Sequence, residues 1–176
     1  MGLDMYLYAE KYTSQYTKGV GTLDYPEKLK VLSDGIEKRN FKSIIAKYKI
    51  GYWRKFNALH GFIIKNYAKG EDDGHDVWLS ERAVNEILDV CEKVLADLNT
   101  CPYVEKKIQT MFDGEVTIKE YDSEVARELL PTCSGFFFGV LEYDEYYKLD
   151  LEYTIKLLKQ VKEIQDEYEI YYSASW

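Results

Sequence analysis

The segment YWRKFNALH concentrates side chains that could contact a nucleotide. On a helix, Trp53, Asn57 and His60 would share one stripe, because intervals of four and three residues match the helical repeat. Arg54 and Lys55 form the strongest basic patch in an otherwise acidic chain. The pattern predicts a tryptophan ring that stacks on a base, two cations that bind a phosphate, and an amide and an imidazole that bond to sugar hydroxyls. Equally, it fits an amide and an imidazole that satisfy buried backbone groups of a neighbouring loop.

A second segment, LPTCSGFFFG, has the residue types of an anion-binding loop. Pro131 would end the preceding helix, and Thr132 and Ser134 then supply hydroxyl groups. Gly135 offers a backbone amide that no side chain obstructs. The two glycines of the segment bracket three phenylalanines, which predicts a short strand that a ligand or another backbone approaches closely. An ordinary core strand with turn residues before it is the alternative.

Four aromatic residues extend this candidate ligand site: Phe136, Phe138, Tyr143 and Tyr147. Asp144 is expected to cap the last long helix, so that the first turns carry tyrosine rings towards the loop. Tyrosine combines a flat ring with a phenolic donor, which suits stacking on a base and bonding to a sugar. The same rings would serve equally well to pack the helix against a sheet.

Asp4 and Tyr6, near the start of the sequence, are two further candidate site residues. Leu3, Met5 and Leu7 alternate with Asp4 and Tyr6, and this period of two predicts a half-buried strand. The closing segment EIYYSASW alternates in the same way. Both ends are therefore expected in one antiparallel sheet, with Asp4 and Tyr6 on the face that could meet a ribose.

Helices are predicted between these terminal strands. Three long ones are expected, from Ser43 to about Tyr67, from a cap at Ser80 to before Cys101, and from about Asp144 to Tyr168. Shorter helices are expected at 25–39, around Lys106 and at 123–130, with one weakly indicated strand at 116–118. The pattern predicts a single α+β domain over residues 1–176, with the helices packed on a small antiparallel sheet.

Composition narrows the classes of function. The chain has 176 residues, with 23 Lys and Arg against 31 Asp and Glu, giving a net charge of -8 that argues against binding long nucleic acid. Three cysteines without a CxxC pair predict neither a disulfide framework nor a zinc site, and no cofactor is expected. The acidic segment EDDGHD lacks calcium-loop spacing and is expected to be a solvated loop. No apolar run reaches the length of a membrane span, so a cytoplasmic location is expected.

Three motifs in order resemble a family of small proteins encoded by tailed bacteriophages. They are MGLDMYL at the start, YWRKxNxxH, and LPTxSGFFFG followed by Tyr143 and Tyr147, and the resemblance covers roughly residues 1–8, 50–100 and 129–158. It implies a protein of the host cell cytoplasm during infection. By analogy the chain is similar to the anti-Thoeris proteins Lockin and Sequestin, which trap ADP-ribose-derived messengers.

These observations favour a phage anti-defence protein that binds a small anionic nucleotide, of the cyclic ADP-ribose type, without cleaving it. Trp53 and the tyrosines would hold the base, and Arg54 and Lys55 with the loop at 132–135 would hold the phosphates. The ribose would bind to Asp4, Asn57 and His60. One alternative is an enzyme that degrades such a nucleotide, with His60 as general acid or base beside Ser134. Another is a protein inhibitor of a host enzyme. Homo-oligomer formation is left open.

Overall fold

The computed structural model describes residues 2–14, 43–110 and 114–176. In chain order the elements are β1 (Asp4–Ser14), β2 (Ser43–Arg54), α1 (Asn57–Tyr67), β3 (Val77–Leu79), α2 (Glu81–Leu98), β4 (Tyr103–Thr110), β5 (Gly114–Tyr121), α3 (Glu124–Leu129), α4 (Glu145–Ile164) and β6 (Glu169–Ser175). The predicted α+β class is confirmed, and both terminal segments are strands of one antiparallel sheet.

The main sheet has the order β2-β1-β6-β3, with antiparallel neighbours throughout. Leu3, Met5 and Leu7 are buried, whereas Asp4 and Tyr6 lie on the opposite, open face. This confirms the alternation predicted for β1, since successive side chains of a strand point to opposite sides. A second sheet consists, among the described residues, of the two strands β4 and β5.

Helices α2 and α4 pack against each other and contribute much of the core. The cap predicted at Ser80 is confirmed, because its hydroxyl accepts a hydrogen bond from Ala83 N. Asp144 likewise caps α4 by accepting from Tyr147 N at 2.9 Å. Cys91 on α2 is fully buried, and burial raises the pKa of its thiol to about 12. Helix α3 confirms the short helix predicted before Pro131, although α4 ends at Ile164 rather than Tyr168.

The long helix predicted from Ser43 to Tyr67 is wrong over its first half. Residues Ser43–Arg54 form strand β2, which pairs with β1 along its whole length, and only α1 is helical. Isoleucine and tyrosine, common in this segment, suit a pleated surface, and pairing with β1 outweighs the spacing of three and four. Gly51 in β2 marks a close approach of α4, because a Cβ there would collide with Leu157.

Two further local predictions are wrong. The residues around Lys106 form strand β4 instead of a helix, and they pair with β5, which extends the weakly predicted strand at 116–118 to Gly114–Tyr121. The three phenylalanines form a turn instead of a strand, in which Phe138 N donates to the Gly135 carbonyl at 3.3 Å. The helix expected at 25–39 lies outside the described residues.

Within the described ranges, no helix combines the length and the apolar character that crossing a membrane requires.

Candidate functional site

A pocket of about 450 Å³ opens where the end of β2, the loop at 131–143 and the start of α4 meet. This volume falls within the range usual for small-molecule sites. The pocket is lined by Arg54, Lys55, Phe56, Asn57, Thr132, Gly139, Val140, Glu142, Asp144, Tyr146, Tyr147, Leu149 and Asp150. It therefore brings together residues from all three segments that the sequence singled out as candidates for chemistry.

Two cations form one side of the pocket. Arg54 Nη1 contacts Asp4 Oδ1 at 2.9 Å, while about half of the Arg54 side chain remains exposed. Lys55 is exposed and has a positive φ of 63°, a conformation that is uncommon for residues other than glycine. Gly139 packs directly on it, since a Cβ at Gly139 would meet Lys55 Cβ at 3.0 Å. The loop thus holds the Lys55 stem close while leaving its charge exposed to solvent.

Carboxyl groups also line the pocket, among them Asp144 and Asp150. Burial and, as the smaller cause, the nearby charge of Asp144 together raise the pKa of the Asp150 carboxyl to about 7. Burial also raises the pKa of Asp144, against the effect of backbone donors at the start of α4. Near neutral pH the Asp150 population is therefore divided between a carboxylate that accepts hydrogen bonds and an acid that also donates one.

Aromatic rings form the floor. Phe56 and Tyr147 meet edge to face at 5.5 Å between ring centroids, and Tyr143 meets Tyr147 at 5.1 Å. The Tyr147 hydroxyl donates to the Leu130 carbonyl at 2.9 Å, which fixes the ring. Tyr146 and Leu149 line the rim and are 52 % and 57 % exposed, so they offer an apolar surface to a flat ligand.

Asn57 joins α1 to the loop. Its Nδ2 donates to the carbonyls of Phe138 (3.2 Å) and Val140 (2.8 Å), and its Oδ1 accepts from Cys133 N at 3.1 Å. These contacts bring the YWRKFNALH and LPTCSGFFFG segments together, as a shared ligand site requires. They also show the alternative role considered for the amide, which is to satisfy loop backbone groups.

His60 lies behind the loop and does not line the pocket. It is 2 % exposed, with Nδ1 at 2.7 Å from the Tyr172 hydroxyl and Nε2 at 3.0 Å from Asp72 Oδ2. Its ring meets that of the buried Phe138 edge to face at 5.1 Å. Trp53 is equally buried, and its Nε1 donates to Thr154 Oγ1 at 2.8 Å. Contrary to the sequence-based expectation, the Trp53 ring is not open to a stacked base, because the strand turns it into the core.

The expected anion-binding loop directs two of its amides inwards. Thr132 N donates to the Tyr143 hydroxyl at 3.4 Å, and Cys133 N donates to Asn57. The Thr132 hydroxyl donates to the Leu141 carbonyl at 2.9 Å, although Thr132 still lines the pocket. These bonds engage the Thr132 and Cys133 amides inside the protein, whereas Arg54 and Lys55 line the cavity with exposed charges.

The remaining predicted site residues lie around this pocket without lining it. Ser134, Gly135 and Phe136 are exposed at the tip of the loop. Asp4 is on the open sheet face, where it accepts from Arg54 and from the Tyr52 hydroxyl, so it is not isolated in solvent. Tyr6 is on the same face, with Lys49 Nζ at 4.2 Å from its ring centroid.

Eight pocket residues were not among the predicted ligand-binding residues, namely Phe56, Gly139, Val140, Glu142, Asp144, Tyr146, Leu149 and Asp150. Two of them, Tyr146 and Asp150, could be placed near the loop from the sequence, because the cap at Asp144 puts both in the first two turns of α4. Within the described parts of the chain, no group of three or more His, Cys, Asp or Glu side chains is arranged to hold a metal ion. No family model, curated protein or solved structure matches this chain.

Proposed function

We propose that the protein binds a nucleoside phosphate in the pocket and holds it intact. The observation that carries this proposal is the pairing, in one cavity of about 450 Å³, of two cations with two carboxyl groups of raised pKa. A nucleotide has the matching chemistry, because its phosphates are anionic while its sugar and base carry hydroxyl and amino donors.

The phosphates, sugar and base of the ligand can each be assigned to pocket residues of matching chemistry. Arg54 and Lys55 would bind the phosphates, since both charges are exposed and adjacent. Asp150 would contact sugar hydroxyls or the edge of the base, where its divided protonation allows both donation and acceptance. Tyr146 and Leu149 would cover one face of the base. An anionic ligand can bind here despite the net charge of -8, because the cations act locally.

The biological role we propose is sequestration of an ADP-ribose-derived immune signal by a phage anti-defence protein. The resemblance in the three motifs supports this role. Binding without cleavage is supported by the state of His60, the residue considered as a general acid or base. Both of its nitrogens are engaged inside the protein, and it does not line the pocket.

A second candidate function rests on Asp150. A carboxyl with a pKa of about 7 in a pocket can act as a general acid or base near neutral pH. The chain would then be an enzyme that hydrolyses the bound nucleotide, with Asp150 in the role that the sequence suggested for His60.

Recovery of the ligand separates the two functions. The protein is incubated with cyclic ADP-ribose or ADP-ribose, unbound nucleotide is removed, and the protein is heat-denatured before mass spectrometry of the supernatant. Sequestration predicts recovery of unaltered nucleotide at a fixed ratio to protein, whereas an enzyme releases products and exceeds that ratio with time. If neither nucleotide is retained, mass spectrometry after incubation with infected-cell lysate tests the wider class. A lysate that yields no phosphorylated small molecule would refute nucleotide binding.

A further inference from the structure

The two outer edges of the β4–β5 hairpin differ: the end of β5 is paired, whereas β4 has no strand partner among the described residues. On the β5 side, Tyr121 N donates to the Tyr143 carbonyl at 2.8 Å, and Glu120 bridges to Asp144. On the β4 side, no strand among residues 2–14, 43–110 and 114–176 pairs with the outer edge. Because β4 is paired on one side, alternate N–H and C=O groups along its eight residues point away from β5. Such an edge is a template for another strand.

The outer edge of β4 also carries exposed apolar side chains. Tyr103 and Val104 are 49 % and 58 % exposed, and Ile108 is only half-buried. Glu105 and Lys107 are exposed and lie two residues apart, hence on one face of the strand. A binding partner for this edge must therefore match Val104 and Ile108, on either side of Lys106, on one face of the strand and the Glu105 and Lys107 charges on the other.

A second copy of β4 meets this requirement in one register. When a twofold axis relates two identical antiparallel strands, residues directly opposite each other lie on the same face of the sheet. The axis is therefore centred on a residue and not between two residues. With the axis at Lys106, Glu105 lies opposite the second copy's Lys107, and this pair occurs twice. In the same register Val104 lies opposite the second copy's Ile108, also twice. Opposite charges and apolar side chains placed directly across a ladder both stabilise strand pairing.

Neighbouring registers are less favourable. An axis at Glu105 places two glutamates directly opposite each other and Val104 opposite Lys106. An axis at Lys107 places two lysines opposite each other and Lys106 opposite Ile108. Two lysines also meet in the register centred on Lys106, where each forms an ion pair with Glu120 of its own hairpin. Of these three registers, only the one centred on Lys106 matches both the charged and the apolar side chains.

We infer that the chain forms a symmetric dimer in which the β4 strands of two copies pair antiparallel about Lys106, joining the two hairpins into a four-stranded sheet. Lysines on an edge strand can also have the opposite role and protect the edge against such pairing. Charge placement favours the dimer, because each Lys107 finds a glutamate across the axis. This inference does not depend on what the pocket binds.

Charge exchange tests the register. Sedimentation velocity of the full chain over a concentration series should show a monomer–dimer equilibrium. Glu105→Lys or Lys107→Glu alone should weaken association about tenfold or more, because each creates two like-charge pairs. The double variant should restore association. Within one hairpin the double variant gains nothing, since Glu105 faces Lys119 and Lys107 pairs with Glu115 in the parent. Recovery therefore reports contact between copies rather than hairpin stability.

Two controls keep the test decisive. Lys93→Glu alters an exposed lysine of α2, outside the hairpin, and should leave association unchanged. Lys106→Cys should form a disulfide-linked dimer under mild oxidation, whereas Thr117→Cys, on β5, should not. A parent chain that stays monomeric throughout the series would show that the lysines protect the edge, and would overturn the inference. A dimer that is insensitive to both single charge changes would overturn it equally.

Discussion

Replacement of Asn57 by alanine tests whether the loop that forms one wall of the pocket depends on a single amide. The side chain makes three hydrogen bonds, two as donor to the Phe138 and Val140 carbonyls and one as acceptor from Cys133 N. Asn57 is 3 % exposed, so alanine would leave its partners without a replacement inside the protein. The Val140 side chain is exposed, and we expect its carbonyl to recover a bond to water.

The expected cost follows from the two partners that stay covered. A buried donor or acceptor that loses its partner costs about 1 to 3 kcal/mol. Counting the Phe138 carbonyl and the Cys133 amide, and nothing for Val140, gives about 2 to 6 kcal/mol of lost unfolding free energy. Cys133 should also become more reactive, because its Sγ lies at 3.0 Å from the Asn57 carbonyl in the closed loop.

Urea denaturation followed by tryptophan fluorescence measures the free energy, and the rate of thiol labelling measures loop opening. Asn66→Ala is the matched control. Asn66 lies on the same helix, and its Nδ2 donates to the Phe62 carbonyl at 2.8 Å, but the bond is exposed. That variant should change stability by less than about 0.5 kcal/mol. If the two alanine variants proved equally stable, and Cys133 were labelled at the same rate in both, Asn57 would not be what anchors the loop.

Three other predictions concern charge and burial. Arg54→Ala should weaken nucleotide binding by about 1.5 to 3 kcal/mol in calorimetry, whereas Arg82→Ala, an exposed arginine on α2, should not. The folded-state pKa of Asp150, about 7, exceeds its ordinary 3.8, so stability present below about pH 4 is lost as the pH rises to 7. Asp150→Asn should therefore exceed the parent in stability at pH 8, by up to about 4 kcal/mol in urea titrations, and match it at pH 4. Cys91 should resist thiol reagents in the native state, because it is fully buried; rapid labelling would contradict this.

The fold could be predicted wherever local pattern and tertiary packing agree. Strand β1 alternates cleanly, and α2 has both a cap at Ser80 and a continuous apolar stripe. Prediction failed for β2, where apolar spacing fitted a helix while the segment pairs with β1. It failed again for β4, whose exposed side chains carry little periodic signal. In both cases the segment is a strand because it pairs with another strand. A short stretch of sequence carries no information on that pairing.

The sequence indicated several residues of the candidate site, but it did not indicate how their side chains are oriented. Arg54, Lys55 and Thr132 line the pocket as expected. Trp53 and His60 do not, because β2 ends at Arg54 and the stripe they were assigned to spans two different elements. Asp144 and Asp150 could be placed at the start of α4 from the sequence, whereas their burial depends on how the loop folds over that end of the helix.

The three motifs meet at the backbone of one residue, which explains why segments so distant in the chain form one site. Leu3 N donates to the Phe137 carbonyl at 3.4 Å, and the Leu3 carbonyl accepts from Lys55 N at 2.8 Å. Both Phe137 and Lys55 have positive φ values, 63° each, a conformation that costs energy in residues other than glycine. Because Leu3 is fully buried, these bonds are held by the core. The start of β1 therefore fixes the positions of Arg54 and Lys55 at the end of β2 and how closely the loop approaches them.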